Sequence, residues 1–162
     1  MDSIIDDFYI KVSSEDVIYY KTLVEKAIEL GYTPKKDNKK YGFSITFNNR
    51  KVKNSILMLY YGKEGTFWKL KFYANKTYSN NFDDILKQTF EKFKYLYNNG
   101  TCIQNKCGRC KKDRKGYNIE YGDGKNYFLC GFYLIPIYTI SKSIVDEAAK
   151  MMENQHKEFI QE

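Results

Sequence analysis

The sequence predicts an α+β fold, a single domain in which helices pack on one face of an antiparallel sheet. Three observations lead to this class: three segments carry apolar residues at helical spacing, β-prone runs lie between them, and turn residues separate consecutive runs. The 162 residues fit one domain spanning residues 1–162, and a hydrophobic content of 43% is sufficient for a core. The expected order is strand, helix, three strands, helix, cysteine loop, two or three strands and a last helix.

The first predicted elements are a strand, a helix and a loop. Residues 8–12 are β-prone and are interpreted as the first strand. Residues 17–28 place apolar side chains at the spacing of an amphipathic helix, which Gly31 and Pro34 bring to an end. Residues 35–40 are charged and contain asparagine, so we expect a loop between this helix and the sheet.

Three strands are predicted to follow as an antiparallel meander. Residues 41–47 alternate large apolar residues with small or polar ones, as expected of a strand with one buried face. Residues 56–61 are apolar on both faces, which indicates a central strand covered on both sides or one whose second face meets a ligand or partner. Gly62 and Gly65 are typical of a hairpin turn, and residues 68–73 then alternate again.

The second half is predicted to contain two helices around a hairpin. Residues 82–97 keep one apolar stripe at helical spacing. The Asp-Gly pair at 123–124 lies between two β-prone runs and is the best hairpin signal in the chain. Residues 132–138 are predicted to form an edge strand, because Pro136 has no N–H to donate to a neighbour. The last helix is expected to begin near residue 141.

The charge of the chain bears on its partners. The formal net charge is +7, and clustered cations release counterions when they bind phosphates, so nucleic acid is one candidate partner. Lysine, however, greatly outnumbers arginine, the residue that forks onto phosphates. The first residues are acidic and no apolar run is long enough for a membrane span, so we expect a cytoplasmic protein with no membrane partner.

All four cysteines, Cys102, Cys107, Cys110 and Cys130, lie in the subregion 101–131. Four thiols in so short a span favour one shared site. The pair at 107 and 110 has a glycine between its members, which suits a tight turn whose backbone amides point at thiolate sulfurs. With the first cysteine at a helix exit and the last at the end of a returning hairpin, the four thiolates are predicted to hold a structural zinc ion.

Three other interpretations of the cysteines stay open. The spacing also matches that of plant-type two-iron, two-sulfur clusters, but the following polar hairpin does not suit burial of a cluster, so an iron–sulfur site is disfavoured. Cys107 and Cys110 also suit a redox thiol pair, which would make the chain a small thiol-dependent enzyme. In the plainest interpretation all four are ordinary reduced thiols, some of them buried as small apolar residues.

A basic and aromatic face of the sheet is a second candidate site. Side chains that alternate with the buried ones, together with basic residues in a turn, would form a surface for single-stranded nucleic acid. Its predicted members are Lys69, Lys71, Tyr73, Arg50, Lys51 and Lys53. The sequence alone favours a plainer interpretation, in which a sheet with one buried face exposes lysine and tyrosine to water.

Signatures of catalysis are scarce. His156 is the sole histidine, and a helix histidine without a sequence partner is more often structural or exposed than catalytic. The sequence contains no glycine-rich phosphate loop and no metal–carboxylate motif. These observations favour a non-enzymatic binding or regulatory module for a protein partner or a small ligand. A nucleic-acid-binding accessory protein and a thiol-dependent redox enzyme are the alternatives.

Overall fold

The computed structural model of the chain describes residues 2–97, 115–122 and 124–161. In chain order its elements are α1 (Asp2–Tyr9), α2 (Val17–Glu29), β1 (Thr33–Lys39), β2 (Gly42–Asn49), β3 (Asn54–Gly62), β4 (Gly65–Leu70), α3 (Asn80–Tyr97), β5 (Gly116–Glu120), β6 (Asn126–Cys130), β7 (Ile135–Ile137) and α4 (Lys142–Gln161). The strands form an antiparallel five-stranded sheet in the order β1-β2-β3-β4-β7 and a separate β5-β6 hairpin. The predicted α+β class is confirmed.

One face of the five-stranded sheet lies in the core and is called the covered face. Ile45, Leu59, Trp68 and Ile137 lie side by side across four neighbouring strands, and all four are fully buried. Helix α4 packs along α2 and contacts β3, while α1 contacts β1, so these three helices close this face. Full burial of an aliphatic side chain of this size stabilises the fold by about 2 kcal/mol relative to exposure.

The opposite side of the sheet is called the open face, and its side chains alternate along each strand with those of the covered face. Its members on the paired strands are Ser44, Thr46, Met58, Tyr60, Phe67, Lys69 and Pro136. Most of these side chains are partly exposed, in contrast to the covered face. Helix α3 contacts β7 and borders the open face along that edge.

The first predicted strand is wrong, because residues 2–9 form helix α1 and residues 10–13 lead out of it without strand pairing. Ile5 and Phe8 are three residues apart, which places both on one face of a helix. Phe8 is fully buried, and its ring meets that of Tyr20 edge-on with 5.0 Å between the centroids. This packing outweighs the β propensity of the run and leaves Ile10 74% exposed.

The predicted loop at residues 35–40 is also wrong, because most of it belongs to β1, an edge strand paired with β2. Lys36 of this strand forms an ion pair with Asp7 of α1, and its Nζ lies 4.5 Å from the ring centroid of Phe43. Charged side chains on an edge strand discourage pairing with another chain. A polar edge strand lacks the apolar alternation that identifies the inner strands.

The remaining elements lie close to their predicted positions. Helices α2, α3 and α4, the meander β2-β3-β4 and the β5-β6 hairpin follow the patterns. Strand β7 is the expected edge strand, and Pro136 in it lies opposite Lys69 of β4. The predicted hairpin turn includes Asp123, which lies outside the described residues, and Gly124 has a φ of 78°, a conformation that favours glycine. In the described part of the chain, no helix combines the length and the apolar character that a membrane span requires.

Candidate functional sites

Of the four predicted zinc ligands, Cys130 lies within the described residues, whereas Cys102, Cys107 and Cys110 lie outside them. Cys130 ends strand β6 and is 9% exposed. Its Sγ accepts a hydrogen bond from the backbone N–H of Phe132 at 3.5 Å. This hydrogen bond holds the sulfur in one orientation, as outer hydrogen bonds commonly do for the ligands of a metal.

The surroundings of Cys130 connect it with the predicted cysteine loop. Cys130 is paired with Gly116, and the N–H of Gly131 donates to the carbonyl oxygen of Lys115 at 2.9 Å. Lys115 and Gly116 therefore lie beside Cys130. Among the described residues, no group of three or more His, Cys, Asp or Glu side chains is placed to hold a metal ion.

Three rings on the open face form what we call the aromatic row: Tyr60 of β3, Phe67 of β4 and Tyr138, which follows β7. Tyr60 and Phe67 are paired across the two strands, with 4.5 Å between ring centroids and 34° between ring planes. Phe67 and Tyr138 are 5.1 Å apart at 35°, and Tyr138 is 58% exposed at the end of the row. Rings at such spacings and angles interact favourably, so the row forms one aromatic surface across three strands.

Two lysines accompany the aromatic row. Lys69 lies beside it on β4, with Nζ 5.6 Å from the ring centroid of Phe67. Lys92 reaches over from α3, with Nζ 4.6 Å from the ring centroid of Tyr138. Neither lysine forms an ion pair with a carboxylate in the part of the chain that the structure describes. Partial burial lowers the pKa of Lys69, because removal from water disfavours its charged form.

Lys71 and Tyr73 do not join Lys69 on the open face, because β4 ends before them. Lys71 is only 5% exposed, and its Nζ lies 3.4 Å from Oδ1 of Asn54. The ring of Tyr73 packs edge-on against that of Tyr117. Of the three predicted side chains from this stretch, the structure therefore places only Lys69 on the open face.

Arg50, Lys51 and Lys53 lie in the turn between β2 and β3, at one end of the sheet. Arg50 and Lys51 line a cleft of about 720 Å³, here called the turn cleft, together with the end of α2 and the C-terminal part of α4. Thr33 and His156 also line this cleft. The predicted basic residues thus divide between two places, with Lys69 on the open face and the turn residues at the sheet end.

The turn cleft contains the one histidine of the chain. The hydroxyl of Tyr32 lies 3.2 Å from Nδ1 of His156, and the two rings meet edge-on with 5.5 Å between centroids. Burial raises the pKa of Tyr32 and lowers the pKa of His156, so near neutral pH the phenol keeps its proton and the imidazole is neutral. In the tautomer that carries the imidazole proton on Nε2, the phenol donates to Nδ1 and Nε2 is left as a donor.

A smaller groove of about 230 Å³ continues from the aromatic row between α3 and β7. Tyr138 and Lys92 line it on the side of the row. Asn81, Asp84 and Gln88 recur along α3 at helical spacing and line its length. Hydrogen-bonding groups are therefore present next to the exposed end of the row.

The sequence interpretation did not identify Tyr60, Phe67, Tyr138 and Lys92 as members of a site. One signal for the row was present, since residues 56–61 are apolar on both faces and a second apolar face suggests a ligand or a partner. The side chains next to that strand could not be recognised from the sequence, because the row forms only through the pairing of β3 with β4 and of β4 with β7.

Comparison with models of known families, with curated proteins and with solved structures finds no match for this chain. No activity, cofactor or partner is therefore transferred from a relative. The open face, the turn cleft and the surroundings of Cys130 are the candidate sites, and function is argued from their chemistry.

Proposed function

We propose that the protein is a binding module that holds single-stranded nucleic acid on the open face of its sheet. The observation that carries this proposal is the aromatic row of Tyr60, Phe67 and Tyr138, accompanied by Lys69 and Lys92. Aromatic side chains that contact bases and cations that follow the backbone are the two components of surfaces for single strands.

Electrostatics supports an anionic ligand for this face. The whole chain carries a net charge of +7, so a polyanion is attracted before any specific contact forms. Lys35 is exposed on the β1 side of the open face, where it lies opposite Thr46. Lys69 and Lys92 have no carboxylate partner within the described residues, so contact with a phosphate breaks no existing ion pair there.

The shape of the site favours a single strand over a duplex. The rings of Tyr60 and Phe67 are partly exposed on a sheet surface, and neither projects from a helix or ribbon that would enter a groove of a duplex. Rings on a sheet reach bases only when the bases are unstacked from a partner strand. The adjoining groove with Asn81 and Gln88 offers amide groups to the edge of an unpaired base.

Binding of a fluorescent single-stranded oligonucleotide at several salt concentrations tests the proposal. We expect affinity to fall as salt rises, and the double variant Lys69→Gln, Lys92→Gln to bind about tenfold more weakly. Loss of two phosphate contacts should also reduce the slope of log K against log salt by about 1.4. Affinity that does not respond to salt would contradict phosphate contacts as the basis of binding.

A matched control distinguishes the loss of lysines from the open face from a general loss of positive charge. Lys150→Gln, Lys157→Gln removes the same charge from exposed positions on α4, which lies on the other side of the sheet. The control should bind as the native protein does, and an equal loss in both double variants would refute a site on the open face. Capture of an acidic protein partner with no affinity for oligonucleotides would favour a protein-binding module instead.

A structural zinc ion at Cys102, Cys107, Cys110 and Cys130 is a second part of the proposal. It is supported by the backbone hydrogen bond to the Cys130 sulfur and by the pairing of Cys130 with Gly116, which lies six residues after Cys110 in the sequence. Such a site needs reduced thiols and therefore fits a cytoplasmic location. In this role the metal fastens the chain and takes no part in a reaction.

Metal analysis of protein purified without added metal tests the zinc proposal. We expect about one zinc per chain. The Cys130→Ser variant should lose this zinc and should also have a lower free energy of unfolding. Less than about 0.3 equivalents of zinc together with four free thiols would contradict it. Visible absorption with bound iron would identify an iron–sulfur cluster, and rapid alkylation confined to Cys107 and Cys110 would identify a redox thiol pair.

A further inference from the structure

We infer that the turn cleft is a second binding site, separate from the open face, for a small organic phosphate. The cleft lies at the end of the sheet, between the β2-β3 turn and the C-terminal part of α4. It combines two cations, a neutral imidazole and apolar wall residues in about 720 Å³. This inference does not depend on nucleic-acid binding, because the aromatic row and the turn cleft share no lining residue.

The cations of the cleft come from one turn. Arg50 and Lys51 are adjacent and exposed, and neither forms an ion pair with a carboxylate in the described ranges. The guanidinium of arginine presents several N–H donors in a fixed plane that matches phosphate oxygens, and lysine adds a point charge. Glu29 at the rim is paired with Lys26 at 2.8 Å, and Lys26 is shared with Glu153, so the negative charge of Glu29 is offset in part.

The turn that carries these cations is held in place by Asn49. This residue is 8% exposed, and its Oδ1 accepts hydrogen bonds from the backbone N–H of Lys51 at 2.9 Å and of Val52 at 3.5 Å. Its Nδ2 reaches the carbonyl oxygen of Leu30 at 3.4 Å, which ties the turn to the end of α2. A turn fixed in this way loses little conformational freedom when an anion binds.

His156 supplies a donor without adding charge. Its Nδ1 lies 3.2 Å from the hydroxyl of Tyr32, and Nε2 has no hydrogen-bond partner among the described residues. An anionic ligand at Nε2 favours the tautomer with its proton there, in which the phenol donates to Nδ1. Together with Arg50 and Lys51, the imidazole gives the cleft donors on two sides, from the turn and from α4. This arrangement suits a group with several acceptor oxygens.

The size and the apolar part of the cleft point to a phosphate that carries an organic group. Clefts for small organic ligands have volumes of about 300–1,000 Å³, a range that includes this one. Leu30, Val52 and Ile160 line it beside the polar residues, and Ile160 is 64% exposed at the wall. A bare phosphate leaves these apolar side chains in water, whereas an attached ring or chain covers them.

Calorimetric titration with phenyl phosphate, inorganic phosphate and phenol tests this inference on the intact chain. We expect phenyl phosphate to bind most tightly, inorganic phosphate more weakly and phenol not measurably at the same millimolar concentrations. The double variant Arg50→Gln, Lys51→Gln should weaken phenyl phosphate binding by about tenfold or more. Phenol that binds as well as phenyl phosphate would overturn the inference, and so would absence of binding by both phosphates.

Two further variants locate the site. Lys63→Gln, Lys150→Gln removes the same charge from a different turn and from α4, and it should leave binding unchanged. His156→Phe keeps a ring in the wall but removes the donor, so it should weaken the binding of phenyl phosphate and of inorganic phosphate alike. Binding that is lost in Lys69→Gln, Lys92→Gln and kept in Arg50→Gln, Lys51→Gln would place the ligand on the open face and overturn the inference.

Discussion

The two faces of the five-stranded sheet are built from the same strands and differ by one residue in position. On the covered face, Leu59 and Trp68 are paired and fully buried under helices. On the open face, their neighbours Tyr60 and Phe67 are paired in the same way and are partly exposed. The two-residue period of a strand thus separates the side chains that stabilise the fold from those available to a ligand.

The faces differ also in how their polar groups are satisfied. The indole Nε1–H of Trp68 on the covered face donates to the carbonyl oxygen of Thr139 at 3.1 Å. Lys69 on the open face is partly withdrawn from water without a carboxylate partner in the described part of the chain, and its pKa is lowered. A charged group kept in such a position costs stability, which is typical of side chains retained for binding.

The largest expected effect comes from the covered face. Trp68→Ala should lower the free energy of unfolding by about 3–5 kcal/mol, since it removes a fully buried ring and leaves a cavity. Trp68→Phe keeps most of the apolar volume and should cost less. Unfolding in urea, followed by circular dichroism, measures both. A loss below about 1 kcal/mol for the alanine variant would mean that this face is not the core.

A change on the open face should separate binding from stability. Phe67→Ala removes the middle ring of the aromatic row and should weaken oligonucleotide binding by about tenfold, because stacking on a ring contributes about 1–3 kcal/mol per base. Its partly exposed position predicts a loss of unfolding free energy of only about 1–2 kcal/mol, below that of Trp68→Ala. If Phe67→Ala lost as much stability as Trp68→Ala and bound oligonucleotides as the native protein does, the proposed difference between the two faces would be contradicted.

Lys69→Met should move stability and binding in opposite directions. The pKa of Lys69 is lower in the folded state than in the unfolded chain, so its charge opposes folding below the folded pKa, and this cost disappears as pH rises through the unfolded pKa near 10.4. At pH 7 the variant should gain about 0.5 kcal/mol of stability and bind oligonucleotides more weakly. The gain should shrink as pH is raised toward 10 in parallel urea titrations. Lys35→Met on β1 is the control, and a gain of equal size there would argue against a cost specific to Lys69.

The smallest expected effect concerns His156, beyond the sheet end. Burial lowers its folded pKa below the unfolded value of about 6.5, so the unfolded chain binds more protons and stability falls as pH drops through that value. Because the ring is only partly buried and faces Tyr32, with Glu153 and Lys157 on the same helix, the effect should be below about 0.5 kcal/mol. The free energy of unfolding should fall more between pH 7.5 and pH 5.5 for the native protein than for His156→Phe. An equal fall in both proteins would contradict this role of burial.

The covered face was largely predictable from the sequence, and the open face was not. The alternation in residues 41–47 and 68–73 identifies Ile45 and Trp68 as buried, because a period of two is a local property of the chain. Strand β1 was not predicted, because an edge strand needs no apolar alternation. Helix α1 was predicted as a strand, because several of the residues that pack this helix against the core have a high β propensity. Lys71 was predicted to continue the face of Lys69, but the strand ends before it.

The aromatic row is a candidate site that could not be predicted from the sequence. Phe67 and Tyr138 are separated by 71 residues in the chain and become neighbours only because β7 pairs with β4. Nothing in the local pattern of residues 132–138 specifies which strand they join. The cysteines form the opposite case, in which spacing alone indicates a site, and Cys130 is the predicted ligand that lies within the described residues.

The division of the sheet into a core side and a proposed binding side can be examined by NMR, with a single-stranded oligonucleotide added to protein labelled in its aromatic rings and lysine side chains. We predict that the resonances of Tyr60, Phe67, Tyr138 and Lys69 shift during the titration, while the ring of Trp68 on the covered face does not. Shifts concentrated on helices α2 and α4, with the aromatic row unchanged, would contradict the assignment of binding to the open face.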